Sequence, residues 1–114
     1  MEADLIRVDT EELIAAEPTA RRLAALAHPV RIAILRQLAA NDACCVKQVV
    51  ARVGLAQSTV SQHLRILVEA GLVQYRPNRQ SSRYSVDREA LGAFAEEIAA
   101  LIGTCCSGAC LKKD

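Results

Sequence analysis

Apolar positions recur with helical spacing over most of the chain and with a period of two in one short region near residues 72–87. Thr10 can cap a short helix whose first turn, Glu11 and Glu12, suits the positive end of the helix dipole; Pro18 ends that helix or starts the next. TARRLAALAH then places Leu23, Leu26 and Ala27 on one side, with Pro29 as punctuation. VRIAILRQLAAN gives Val30, Ile34, Leu35 and Leu38 a common face and stops at Asn41 and Asp42. CVKQVVARVG offers Val46, Val49, Val50 and Val53, and Gly54 is a natural C-terminal cap.

The next segment, LAQSTVSQHLRILVEAG, carries two faces. Val60, Leu64 and Leu67 form a stripe to be buried, while Ser58, Ser61, Gln62 and Arg65 share a polar side, and Gly71 stops the helix. LVQYR and SRYSVD are short and β-prone, separated by the turn formers PNRQS. REALGAFAEEIAALIG closes the pattern with Leu91, Phe94, Ile98 and Leu101 facing one way. The predicted order is four helices, a fifth with a polar outer face, a hairpin and a last helix: a mainly α fold with a small β-hairpin.

Composition narrows this further. At 114 residues the chain is expected to form one domain. Apolar residues are 52% of it but aromatics only 3%, so Ala, Leu, Ile and Val must build the core. No apolar run approaches the roughly 18–20 residues of a membrane span, and the acidic start MEADLIRVDTEEL lacks the features of a signal peptide. A cytoplasmic protein without a membrane partner is expected. Thiols stay reduced there, so five cysteines point to metal or redox chemistry rather than a disulfide framework.

The net charge of +1 hides an asymmetry. Residues 57–83 carry Arg65, Arg76, Arg79 and Arg83 against Glu69 alone, a local basic region suited to a polyanion. The corner Gly54-Leu55-Ala56 joins two short helices in the helix-turn-helix manner. A helix entering the DNA major groove must be thin outside and carry groups that bond base edges. Gln57 and Gln62 suit adenine, Arg65 guanine or phosphate, and Ser58 and Ser61 either. Arg76, Arg79 and Arg83 would flank it as a wing. His63, beside the polar face, either touches a base or packs; it counts among the DNA candidates, whereas His28 is read as structural. No nucleophile–base–orienter set and no phosphate-cradling glycine loop is visible, so neither an enzyme nor an organic cofactor is expected.

The strings LAALAHPVRIAILRQLA, VGLAQSTVSQHLRILVEAGLV and RPNRQSSRYSV resemble the ArsR/SmtB family of winged-helix metalloregulatory repressors, over about residues 19–101. The resemblance implies a homodimer on a near-palindromic operator that dissociates when an inducer binds. Many relatives have serine at the position of Ala56. Zinc-sensing relatives start the last helix Asp-x-His; here Asp87 is followed by Glu89 in the histidine position, so zinc is not expected. Arsenite-sensing relatives often carry Cys-Val-Cys-Asp-Leu-Cys where this chain reads Cys45-Val46-Lys47-Gln48-Val49-Val50. Cys44 and Cys45 are therefore the lesser metal candidates, one of them packing as a small hydrophobe.

The stronger candidates lie in GTCCSGAC. Thiolates prefer soft cations, and three sulfurs match the trigonal-pyramidal demand of As(III) or Sb(III). Cys105, Cys106 and Cys110 can supply them if the backbone curls, and Gly103 and Gly108 suggest a loop or broken turn. The expected layout within one winged helix-turn-helix domain, 1–114, is a dimerisation helix in 1–17, the helix-turn-helix in 45–71, the wing in 72–87, a second dimerisation helix in 88–102 and a cysteine-rich tail in 103–114. Alternatives are a thiol redox or persulfide-responsive repressor of the same fold, or a cysteine-rich metalloid carrier.

Overall fold

The computed structural model describes residues 9–112, with side chains described through Ser107. The elements are α1 (Thr10–Leu26), α2 (Pro29–Ala40), α3 (Val46–Val53), α4 (Gln57–Glu69), β1 (Val73–Arg76), β2 (Arg83–Val86) and α5 (Arg88–Lys112). This is the predicted mainly helical chain with one antiparallel hairpin, a winged helix-turn-helix.

Several expectations change. Pro18 does not divide the N-terminal region: α1 runs through it, with Asp9 rather than Thr10 at its N-cap. Proline removes one backbone donor, but good helix formers flank it and α1 is tied sideways to α5. There Thr19 donates to Glu97, and Arg22 donates to Glu97 Oε1 at 3.0 Å. The cysteine-rich segment is not a loop either. Helix α5 continues through Gly103, Cys105 and Cys106 to Lys112, and Gly103 does not adopt positive φ. The helix formers Ala99, Ala100, Leu101 and Ile102 lead into it. By length and composition Arg88–Ser107 is also long and apolar enough to cross a membrane, contrary to the expectation that no segment is. Phe94, with Leu91 and Ile98 beside it, packs on the core.

The turns follow from local chemistry. His28 caps α2, its Nδ1 accepting from the Val30 N–H at 3.1 Å, with Pro29 at the first helical position. Gly54 ends α3 with φ +79°. Gly71 ends α4 with φ +82°; its N–H bonds the Val68 carbonyl (2.9 Å), and the Leu72 N–H bonds that of Leu67 (3.1 Å). This is a Schellman cap, and Leu67 and Leu72, its two apolar flanking residues, are both fully buried in the core.

Ile34, Leu38, Val49, Val60, Leu64, Leu67 and Leu72 are fully buried and form the centre, with α2, α3, α4 and the hairpin base converging on it. The hairpin pairs Val73 with Val86, Gln74 with Ser85, Tyr75 with Tyr84 and Arg76 with Arg83. An isolated bridge adds Cys44 to β2: its N–H donates to the Tyr84 carbonyl (2.9 Å) and its carbonyl accepts from the Tyr84 N–H (2.8 Å).

Replacing Leu64 by alanine should lower unfolding free energy by about 2–5 kcal/mol, because it opens a cavity in a closed core. Gly54→Ala should cost only about 1–2 kcal/mol, since a Cβ there meets no atom within 4 Å and the penalty is the left-handed backbone alone. Urea denaturation of both variants at one protein concentration checks the order.

Candidate nucleic-acid interface

Burial of Val60, Leu64 and Leu67 fixes which side of α4 faces out. Gln57, Ser58, Gln62 and Arg65 are exposed and Ser61 is half-buried, so the five form one outward surface with small side chains at its middle. Ala56 occupies the N-cap in an extended conformation and gives no side-chain cap. The first-turn N–H groups thus keep their positive end for water or an anion.

The wing stands beside this helix. Arg76 and Arg83 occupy directly opposed positions at the loop end of the hairpin, and Arg79 lies in the connecting loop. All three are exposed, and among the described residues no ion pair engages them or Arg65. Like charges opposite one another weaken a hairpin; a polyanion outside it would relieve the repulsion. Tyr75 and Tyr84 pack at 5.0 Å between ring centres, and Tyr75 Oη lies 2.8 Å from Ser82 Oγ, stiffening the wing. Burial, then the neighbouring Tyr75, push the Tyr84 phenol upward, and Arg65 partly offsets this.

His63 stands apart from that surface. Five residues beyond Ser58, it lies about 140° round the helix from it. Its Nδ1 is 3.2 Å from Arg31 Nη1, and its ring is 4.6 Å from that of His28, tilted by 56°. Sequence reasoning missed Arg31 altogether. Its other partners are main-chain carbonyls of α1, which leave no residue-type signature in a sequence.

The cysteines separate into two environments. Cys44 is buried in the core and is the one that packs as a small hydrophobe, with Arg52 Nη1 3.9 Å from its sulfur. Cys45 turns outward at the α3 N-cap, where its N–H donates to Gln48 Oε1 at 2.9 Å. It lines a cavity of about 350 Å³ between α3, Ser61 of α4, and the wing residues Tyr75 and Tyr84. The Gln48 N–H, with smaller help from Lys47 and Arg83, holds its thiol below the usual range. Cys105 and Cys106 are exposed on α5; the Cys110 side chain lies outside the described residues. Among the described residues no three His, Cys, Asp or Glu side chains are grouped to hold a metal ion.

Comparison with known proteins agrees with this geometry. The model of the bacterial regulatory protein, arsR family, matches residues 28–75, from the α2 cap to β1. The HTH-type transcriptional regulator YgaV of Escherichia coli K12 is 33% identical over 79 residues, spanning 69% of this chain and 80% of that protein. The crystal structure of NolR from Sinorhizobium fredii matches with a TM-score of 0.69 at 31% identity, over 86% of this chain and 97% of that one. The homodimeric winged helix-turn-helix DNA-binding domain of Mb0332 from Mycobacterium bovis shares the fold, with a TM-score of 0.68 at 24% identity over 84% and 89% of the two chains. With a thin polar helix beside a basic wing, and relatives that regulate transcription, the chain belongs to the arsR family as a DNA-binding winged helix-turn-helix transcriptional regulator.

Proposed function

We propose that two copies of this chain repress transcription from a near-palindromic operator and let go when As(III) or Sb(III) is captured by Cys105, Cys106 and Cys110. The observation that carries this reading is the unbroken, exposed α5, which joins the core at Phe94 to the cysteines in one rod.

Pairing of two copies is supported by what the single chain leaves uncovered. Leu13, Ile14 and Leu23 of α1 and Leu101 and Ile102 of α5 are exposed. A largely apolar groove of about 410 Å³ lies between the two helices. The radius of gyration is 18.2 Å, against about 13 Å for a compact domain of this length. A second copy on this face would bring two α4 helices to about one turn of DNA, roughly 34 Å apart. The homodimeric Mb0332 domain has the same fold.

In a straight helix, positions 106 and 110 are one turn apart and position 105 points about 100° away. Gathering three sulfurs around one ion therefore requires the last turn of α5 to open, or the partner copy to contribute a sulfur. Either event would alter the helix that carries the dimer face. A coupling of about 1–3 kcal/mol would lower operator affinity about 5–150-fold.

Three groups of measurements test the reading. Replacing Arg76 and Arg83 together by alanine should weaken binding on all duplexes and flatten the salt dependence by nearly two units of slope, about 0.9 per lost phosphate contact. Gln62→Ala should instead change sequence preference, by about 1–3 kcal/mol at one base pair. Fluorescence anisotropy over a range of KCl concentrations separates the two. Replacing Cys105 and Cys106 by serine should leave DNA binding intact and abolish release by arsenite and antimonite, with free thiols counted in the same titration. Release by an oxidant, reversed by reductant and needing no ion, would instead identify a redox-responsive repressor; ion capture by a chain that retains no duplex would identify a carrier.

A further inference from the structure

Arg31 of α2 joins three helices through one guanidinium. Its Nε donates to the Ala25 carbonyl at 2.6 Å and its Nη2 to the Ala24 carbonyl at 3.4 Å, both near the C-terminal end of α1. Its Nη1 points to His63 Nδ1 of α4 at 3.2 Å. A cation at the negative end of α1 is favourable in itself. The third contact has a chemical condition, because arginine only donates: His63 Nδ1 must accept, so its proton sits on Nε2. His28 obeys the same rule, its Nδ1 already accepting from the Val30 N–H.

We infer that His63 is a positioning residue for DNA reading: through Arg31 it sets the roll of α4 about its buried stripe, and the neutral imidazole is the form that holds α4 in the reading pose. The assignment rests on α4 reading DNA, as proposed above. A roll about that stripe swings Ser58, Ser61, Gln62 and Arg65 together, so one contact on the flank of α4 governs the aim of the whole outer face.

Protonating His63 turns its acceptor into a donor facing a donor and adds positive charge beside Arg31 and His28. The other charged groups in the adjoining cleft between α1 and α4 are Arg21 and Glu69. Burial, then His28, then Arg31 hold the His63 imidazolium pKa below its ordinary value. The folded state therefore binds fewer protons than the unfolded chain does. The contribution is fully present above about pH 6.5 and is lost as pH falls through the depressed value.

The probe is a duplex that the wild-type protein itself recovers from a random-sequence pool, followed by anisotropy between about pH 7.5 and about pH 5.5, with circular dichroism melting in parallel. His63→Asn keeps an acceptor at the δ position and cannot titrate there. It should bind within about threefold of wild type at the upper pH, while His63→Leu, which strands the Arg31 Nη1 donor, should lose about tenfold with sequence preference unchanged. Wild-type affinity should fall with acid more steeply than that of His63→Asn. Identical pH profiles for these two proteins would overturn the inference. So would a folded His63→Asn as weak as His63→Leu, since the ring itself would then be touching DNA. If the wild-type protein recovers no duplex at all, the DNA-reading role fails first and the positioning role with it.

Discussion

The structure depends on the burial of Val60, Leu64 and Leu67 against α2, α3 and the hairpin base. Three fully buried apolar side chains spaced along one side of α4 leave only the opposite side for solvent or a ligand. Nothing in the polar residues themselves makes the face; it is polar surface left over once the core is closed. Their small size then matters, since Ser58 and Ser61 let the helix axis approach a groove wall that bulkier residues would hold away. The Schellman cap at Gly71 continues the same logic, turning the chain so that Leu72 re-enters the core and β1 begins beside the helix it follows.

Much of this was legible in the sequence, for a physical reason. Helical periodicity and glycine caps are local, so Val60, Leu64, Leu67, Gly54 and Gly71 could be assigned from spacing alone. The hairpin was equally plain, because two β-prone runs flank a turn-rich segment. What could not be read were outcomes decided by distant contacts. Pro18 looked like a boundary because its lost hydrogen bond is local, whereas the tie from Thr19 and Arg22 to Glu97 spans more than seventy residues. Gly103 and Gly108 suggested a loop or broken turn, yet glycine permits irregular backbone without requiring it, and the helix runs on through Gly103.

The site divides along the same line. The exposed members of α4 and the wing arginines came directly from pattern and charge. His63 did not: its spacing sets it off the polar face and beside the buried stripe, and only the position of Arg31 shows what it meets there. Cys44 and Cys45 are a parallel case. Adjacent in sequence, they take opposite directions because extended backbone alternates its side chains: one sulfur fills the core beside Tyr84 and the other meets solvent at the start of α3.

The length of α5 has a mechanical consequence. From Phe94 to Cys106 is twelve residues, or about 18 Å of rigid rod at 1.5 Å per residue. A tilt of about 10° about the seat of Phe94 would displace the Cys106 end by about 3 Å. Traffic in the other direction obeys the same leverage, so modest force on the thiol-bearing end arrives magnified as torque at the seat of Phe94, where α5 meets the rest of the chain.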